Sequence, residues 1–353
     1  MDVELFNFDL PDERIALRPA VPRDSARLLL VDQGGLSDHT VRDLPDLLRE
    51  GDILVLNETK VLRASLSATR PARAHGGGGG VKVQINLHKF VSQDEWRAFV
   101  RPAKRLRDGD EIHFSPELSA EVYDKVTGGD VGLRFNQSGD DLVQSIKTLG
   151  EMPLPPYIAR QRAVDERDNS DYQTVFAKDD GSVAAPTAGL HFTPELIDKL
   201  AKKGIEIARL TLHVGAGTFL PISHDDTNDH EMHAEWYSIS EDAADKINLT
   251  RKRGGRVVAV GTTALRALES NADKNGLISA ENADTSIFIT PGYHFRTVDG
   301  LLTNFHLPKS TLFMLVCALA GYETMKTAYK YAVGNDYRFY SYGDTSLLWT
   351  ADT

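Results

Sequence analysis

Apolar and polar positions follow three different rhythms along this chain, and each rhythm marks a region. Between about 62 and 136 the residues alternate over short stretches separated by Gly, Asp and Ser turns. Lys82–Leu87, Glu95–Val100, Glu111–Phe114 and Val131–Phe135 are the clearest, and this period of two predicts strands of a small antiparallel barrel or sandwich. Elsewhere the apolar runs are short and continuous, as in Asp52–Asn57 and Arg256–Gly261, which predicts strands buried on both faces. Between such runs lie helical patterns with recognisable ends. Thr193 is placed to cap a helix with Pro194 at its first position and Gly204 beyond its end, and Ser240 to cap one ending in Arg251-Lys252-Arg253 before Gly254. Further helices are predicted at 141–149, 263–270 and from Ser310 through an interruption at Gly321 to Val333, with strands at Ile205–Val214 and Ser286–Thr290.

Strands alternating with helices predict an α/β body with part of its sheet parallel. The fold class is therefore a mixed-sheet α/β body with an inserted small antiparallel β-barrel domain. The body comprises 1–60 and 150–353 and the barrel 61–149, followed by a stiff Pro-rich linker over Met152–Tyr157. His75 and the five glycines after it read as a flexible hairpin tip, without the Lys-Ser/Thr of a phosphate-binding loop.

Composition narrows the class. With 41% apolar and 26% charged residues the 353-residue chain has the balance of a globular protein in water, and Leu312–Ala320 is too short to span a bilayer. The acidic start Met1-Asp2-Val3-Glu4 does not resemble a secretion signal, and the one cysteine, Cys317, reads as a buried thiol, so a cytoplasmic protein is expected. The net charge of −11 argues against nucleic acid, yet Arg97, Arg101, Lys104, Arg105 and Arg107 crowd into eleven residues. Arg251-Lys252-Arg253 has an explanation in its helix dipole; the first cluster has none and suits phosphate contacts or a solvated face.

Three distant segments share one vocabulary of histidine, hydroxyl, phenylalanine and Gly or Pro. They are Ala185–Phe192, Leu212–Phe219 and Asn304–Thr311. Glycine admits a ligand to the main chain, hydroxyl and imidazole fix its polar edges, and phenylalanine walls it. The reading is that Thr187, His191, His213, Gly215, Gly217, Thr218, Thr262, Thr263, His306 and Ser310 converge on one cavity. Alternation along the strand from Ile205 puts Arg209, Thr211 and His213 on one face, leading into Gly215 and Gly217. The strand–turn–helix at 257–266 offers either a helix N-terminus for an anion or simple capping by Thr262 or Thr263. The polar run from Ser223 to Glu235 holds His224, His230 and His233, but His230-Glu231-Met232-His233 is one residue short of the zincin spacing, so no metal is expected. Nucleophile elbows, Walker motifs and cysteine nucleophiles are absent from the sequence.

These motifs match one pattern in order: Gly51–Val61, Val100–Leu106, Gly181–Thr193, His213–Pro221, Met232–Glu235, Val260–Ser270, Ile289–Leu315 and Phe339–Asp344. From Phe6 to Leu348 the chain closely resembles the S-adenosylmethionine:tRNA ribosyltransferase-isomerases of queuosine biosynthesis. It departs from their usual pattern at Glu58, where Asp is common, at Gln84 and at Asp171. The resemblance implies transfer of the ribosyl part of S-adenosylmethionine onto 7-aminomethyl-7-deazaguanine at the tRNA wobble position, giving epoxyqueuosine and releasing adenine and methionine. S-adenosylmethionine is then a co-substrate, with no tightly bound cofactor, no metal and no membrane. The candidate catalytic residues are Glu58, His191, His213, Glu235, His306 and Asp344. Candidate substrate-binding residues are Asn57, Thr59, Thr187, Gly189, Gly215, Gly217, Thr218, Phe219, His233, Gly261, Thr262, Thr263, Arg266, Phe305, Lys309, Ser310, Thr311 and Tyr342. Arg97, Arg101, Lys104, Arg105 and Arg107 are assigned to tRNA, with Lys202, Lys203 and Arg251 as lesser helpers. The rival readings are an S-adenosylmethionine-dependent tRNA methyltransferase, which would need an acidic-glycine loop that 257–263 lacks, and a non-catalytic tRNA-binding protein.

Overall fold

The computed structural model describes residues 1–73, 79–215 and 224–351. Most of the expected hairpin tip at His75 and its glycines (residues 74–78 are not described) and three site candidates, Gly217, Thr218 and Phe219, therefore lie outside the described residues. Two compact units emerge. One comprises 1–59, 173–179 and 185–353, the other 60–172 and 180–184.

The first unit is organised by a nine-stranded mixed sheet. Its order across the sheet is Glu281–Thr285, Glu235–Ile239, Glu206–Leu212, Ile53–Asn57, Val257–Val260, Gly300–Asn304, Thr345–Trp349, Arg27–Asp32 and Gly35–Thr40. The four strands from Glu206–Leu212 to Gly300–Asn304 run parallel to one another. Ile53–Asn57 lies at their centre and is buried along its whole length, which explains its unbroken apolar run. Helices cover the sheet with the expected caps. The Thr193 hydroxyl accepts from Leu196 N–H at the start of Pro194–Lys202, Ser240 caps Glu241–Lys252 and Ser310 caps Thr311–Ala320. The last of these is interrupted at Gly321 and resumes as Tyr322–Gly334, and Cys317 is buried within it.

One predicted strand is displaced. Ser286–Thr290 is irregular, and the edge strand is Glu281–Thr285, paired antiparallel with Glu235–Ile239 in the register Glu281↔Ile239. Only one of its residues, Thr285, is buried, so the polar run Glu-Asn-Ala-Asp-Thr carries no alternation to announce it.

The second unit is built on a closed six-stranded antiparallel barrel. Its order is Asp130–Phe135, Glu95–Arg101, Val81–Phe90, Ser65–Arg70, Glu111–His113 and Ser119–Tyr123. Inward residues such as Leu66, Ile85, Ala98, Ile112, Val122 and Leu133 are fully buried, as the period of two requires. The segment after the helix Gly139–Leu149 stays with this unit. Glu151 bridges to Ser65, and Arg162 makes a two-pronged pair with the buried Asp168.

Candidate functional site

Parallel strands present their carboxyl ends on one edge, and in open α/β sheets that edge is where ligands bind. Here it gathers the residues that follow Asn57, Leu212, Val260 and Asn304. Neighbouring strands lie about 4.8 Å apart, so the outer two of these four ends are separated by roughly 14 Å.

At one side Asn57 joins its strand to the next. Its amide donates to Leu212 C=O and accepts from Leu212 N–H and Thr59 N–H. Asn57 thus holds the strand ends together, and it positions the neighbours on either side. The Thr59 hydroxyl meets His213 Nδ1 at 3.0 Å, and the imidazole stacks on Trp236 with centroids 4.9 Å apart. No described residue meets His213 Nε2. Burial lowers the His213 pKa, with Asp179 opposing, so the ring is neutral at pH 7. Next to it Glu58 is half-buried with Lys178 Nζ 4.0 Å away. Burial holds its pKa above the usual carboxylate value, Lys178 and Arg209 oppose the shift, and Asp179 adds to it.

In the middle of the edge stands the N-terminus of the helix Thr262–Asn271. Gly261 precedes it with φ at +90° and supplies no side-chain cap. Thr262 and Thr263 do not cap it either, so the capping alternative left open by the sequence is not realised. One turn on, the buried Arg266 pairs with buried Glu235 and donates from Nε to Ile287 C=O, while Glu235 also accepts from Gly215 N–H at 3.0 Å. Glu235 therefore anchors Arg266 and Gly215 together.

At the far side His191 ends the short 3-10 helix Thr187–His191 and accepts from Asn304 Nδ2 at 3.3 Å. Burial lowers its pKa to about 4, opposed by Asp344 and reinforced by Arg338 and Arg23. Gly189 is fixed by packing, since a Cβ there would lie 2.9 Å from the Phe176 ring. Ala188 abuts Gly261, with 3.6 Å between its Cβ and one built on the glycine, so the 185–192 motif adjoins the central helix start.

Other candidates are engaged elsewhere. His306 turns inward: its ring meets the Thr303 hydroxyl at 3.0 Å, its backbone N–H donates to the Tyr329 hydroxyl, and burial lowers its pKa to about 3. Phe305 belongs to an aromatic cluster with Tyr329, Tyr337 and Phe339. Ser310 is a cap, and Lys309 pairs with Glu4 at the surface. Asp344 is buried and accepts from Arg27 N–H, Arg338 N–H and the Arg338 guanidinium, which organises the turn after Phe339. Thr187 and Thr311 are half-buried, Tyr342 is buried and His233 is exposed.

On the barrel the basic cluster divides. Arg97 is bound to Asp124 at 2.6 Å and Asp130 at 3.2 Å, so its charge is already met. Arg101, Lys104, Arg105 and Arg107 are exposed and form no ion pair among the described residues. Their turn is braced from below by Asp110, which accepts from Arg73 and from Arg107 N–H. Lys202, Lys203 and Arg251 lie in the other unit; Lys203 pairs with Asp46, and Arg251 donates to Thr297 C=O.

Reading the sequence passed over Asn304, which orients His191, and Trp236, which carries His213. Both stood inside or beside quoted motifs, Asn304 two residues before His306.

The family described as queuosine biosynthesis protein matches residues 3–348. The S-adenosylmethionine:tRNA ribosyltransferase-isomerase of Maricaulis maris (strain MCS10) is 60% identical over 349 residues, covering 99% of each chain. That of Phenylobacterium zucineum (strain HLK1) is 56% identical, covering 98% of this chain and 99% of its own. The crystal structure of S-adenosylmethionine tRNA ribosyltransferase from Thermotoga maritima is 34% identical and superposes with a TM-score of 0.54 over 97% of this chain and 99% of that one. The chain belongs to the queuosine biosynthesis protein family.

Proposed function

We propose that this chain is an S-adenosylmethionine:tRNA ribosyltransferase-isomerase that acts on 7-aminomethyl-7-deazaguanine at the tRNA wobble position. Full-length identity of 60% to a relative of that name is the observation that carries the activity. The product is epoxyqueuosine in tRNA, with adenine and methionine released. S-adenosylmethionine is a consumed substrate.

The chemistry sets what the carboxyl edge must do. The sulfonium acidifies the C5′ hydrogens, so a base near C5′ starts the rearrangement of the ribose. His213 suits that task, being neutral, held at Nδ1 by Thr59 and unpartnered at Nε2 among the described residues. The bonds from ribose to adenine and from C5′ to sulfur break, the sugar carbons close into a ring that bears the epoxide oxygen, and one carbon bonds to the aminomethyl nitrogen, which gives up a proton, while adenine takes up a proton as it leaves. Glu58, with its raised pKa, is the group we assign to receive the aminomethyl proton. His191 remains neutral and accepts from Asn304 at Nε2, which leaves Nδ1–H to hydrogen-bond the departing base. Exclusion of water protects the activated sugar from hydrolysis. Exposed Arg101, Lys104, Arg105 and Arg107 supply the phosphate-binding charge that an acidic protein must concentrate on one surface.

Incubation with S-adenosylmethionine and precursor-bearing tRNA tests the reaction by the mass of its small products. Adenine and methionine in equal amounts are expected. S-adenosylhomocysteine would mark a methyltransferase, and no turnover would mark a binding protein.

A further inference from the structure

The start of the helix Thr262–Asn271 holds an unusual concentration of buried donors without acceptors. Among the described residues nothing accepts from the N–H groups of Thr262, Thr263 or Ala264. The Thr263 hydroxyl is buried and has no partner, on a residue only 7% exposed. It lies 3.7 Å from where a Cβ on Gly261 would stand, at the mouth of the helix. Gly261 carries no side chain to close that mouth. One turn on, on the same face, Arg266 Nη2 is also buried without a partner, although Nη1 and Nε of the same guanidinium are bonded.

Each such group left unmet is costly, and natural structures rarely leave several together. Backbone donors, a hydroxyl, a guanidinium nitrogen and the positive end of a ten-residue helix all favour the same ligand, a compact anion. We infer that this helix start binds the carboxylate of the methionyl group of S-adenosylmethionine. The inference rests on the reaction proposed above and assigns one end of its small substrate. A carboxylate at the tip of a small molecule suits the burial of Thr262, Thr263 and Arg266, at 6%, 7% and 3% exposure, better than a phosphodiester within a polymer does.

The test compares binding of S-adenosylmethionine with that of its decarboxylated analogue by calorimetry, to the unaltered protein and to Thr263→Val, which keeps the shape of the side chain and removes its hydroxyl. For the unaltered protein the analogue binds roughly tenfold or more weakly. Thr263→Val weakens S-adenosylmethionine about tenfold and leaves the analogue and tRNA unchanged. Equal affinity of the unaltered protein for both compounds overturns the inference without any need for the variant to fold. So does an equal loss for both in Thr263→Val, or a loss confined to tRNA, which would assign the site to a phosphate. Release of adenine and methionine by the unaltered protein separates these outcomes from failure of the reaction itself, since that release can stand while the carboxylate assignment falls.

Discussion

The two edges of the central parallel strands are built on opposite plans. At the amino edge Asp52 is buried and fully engaged. It accepts from Arg49 N–H, Arg256 N–H and the Arg256 guanidinium, which in turn lies 3.7 Å over the Trp349 ring. Burial alone would raise the Asp52 pKa, but the Arg256 and backbone hydrogen bonds leave it lowered. A few residues along the same strands, the carboxyl edge holds neutral imidazoles and buried donors without acceptors, while a carboxyl with a raised pKa stands at both edges, Glu58 at this one and Asp299, which accepts from Val257 N–H, at the other. Equal burial thus serves two ends. Where every lone pair is met, the charge stabilises the fold; where groups are left unmet, they are open to a ligand.

The sharpest way to break this contrast is to remove one group from each edge. His213→Ala lowers kcat by about 10²–10⁴ while Tm stays near that of the parent. His306→Ala, two residues past the same edge but turned into the core, does the reverse, lowering Tm and leaving kcat per folded molecule unchanged. Steady-state kinetics beside thermal unfolding checks both, and an inactive but stable His306→Ala would return that residue to the site.

At the amino edge Asp52→Asn destabilises by about 2–3 kcal/mol in urea unfolding, because it strips the charge from a buried ion pair, and kcat is unaffected. A kinetic defect there would erase the division between the edges.

Acid reads both edges in sequence. His191 and His306 titrate near 4 and 3 when folded but near 6.5 when unfolded, so between those limits the unfolded chain binds more protons. Stability therefore falls as pH drops from about 6.5 toward 4, by up to about 1.4 kcal/mol per pH unit for each histidine. Asp52, its folded pKa lowered, contributes stability above its unfolded value of 3.8, and this is lost as pH falls further. Urea midpoints across this range measure the slope, and His306→Ala removes its share.

The smallest effect concerns the barrel. Lys104→Gln with Arg105→Gln weakens tRNA binding several-fold, about equally across tRNA sequences, and reduces the slope of log affinity against log salt by up to about 2. Affinity for S-adenosylmethionine is unchanged. Arg97→Gln leaves tRNA binding as it was, since Asp124 and Asp130 already neutralise that residue.

Local signals made much of this legible. The continuous apolar run at Ile53–Asn57, the capping residues Thr193, Ser240 and Ser310, and the alternation in the barrel strands are all properties of neighbouring residues. What sequence did not reveal depends on partners far away in the chain. Arg97 and Arg101 look alike until strand pairing brings Asp130 beside one of them. His191 and His306 sit in similar motifs, yet one faces Asn304 across 113 positions and the other faces the core. The edge strand Glu281–Thr285 is polar because most of it meets water, so its place is set by pairing with Glu235–Ile239.

The most direct measurement follows the ribose itself. With S-adenosylmethionine labelled by carbon-13 in the ribose, precursor-bearing tRNA is treated, digested and its wobble nucleoside weighed. The intact five-carbon label enters that nucleoside with one adenine and one methionine released, and His213→Ala, folded and still binding tRNA, transfers none. Label that never reaches tRNA, or undiminished transfer by His213→Ala, would contradict this.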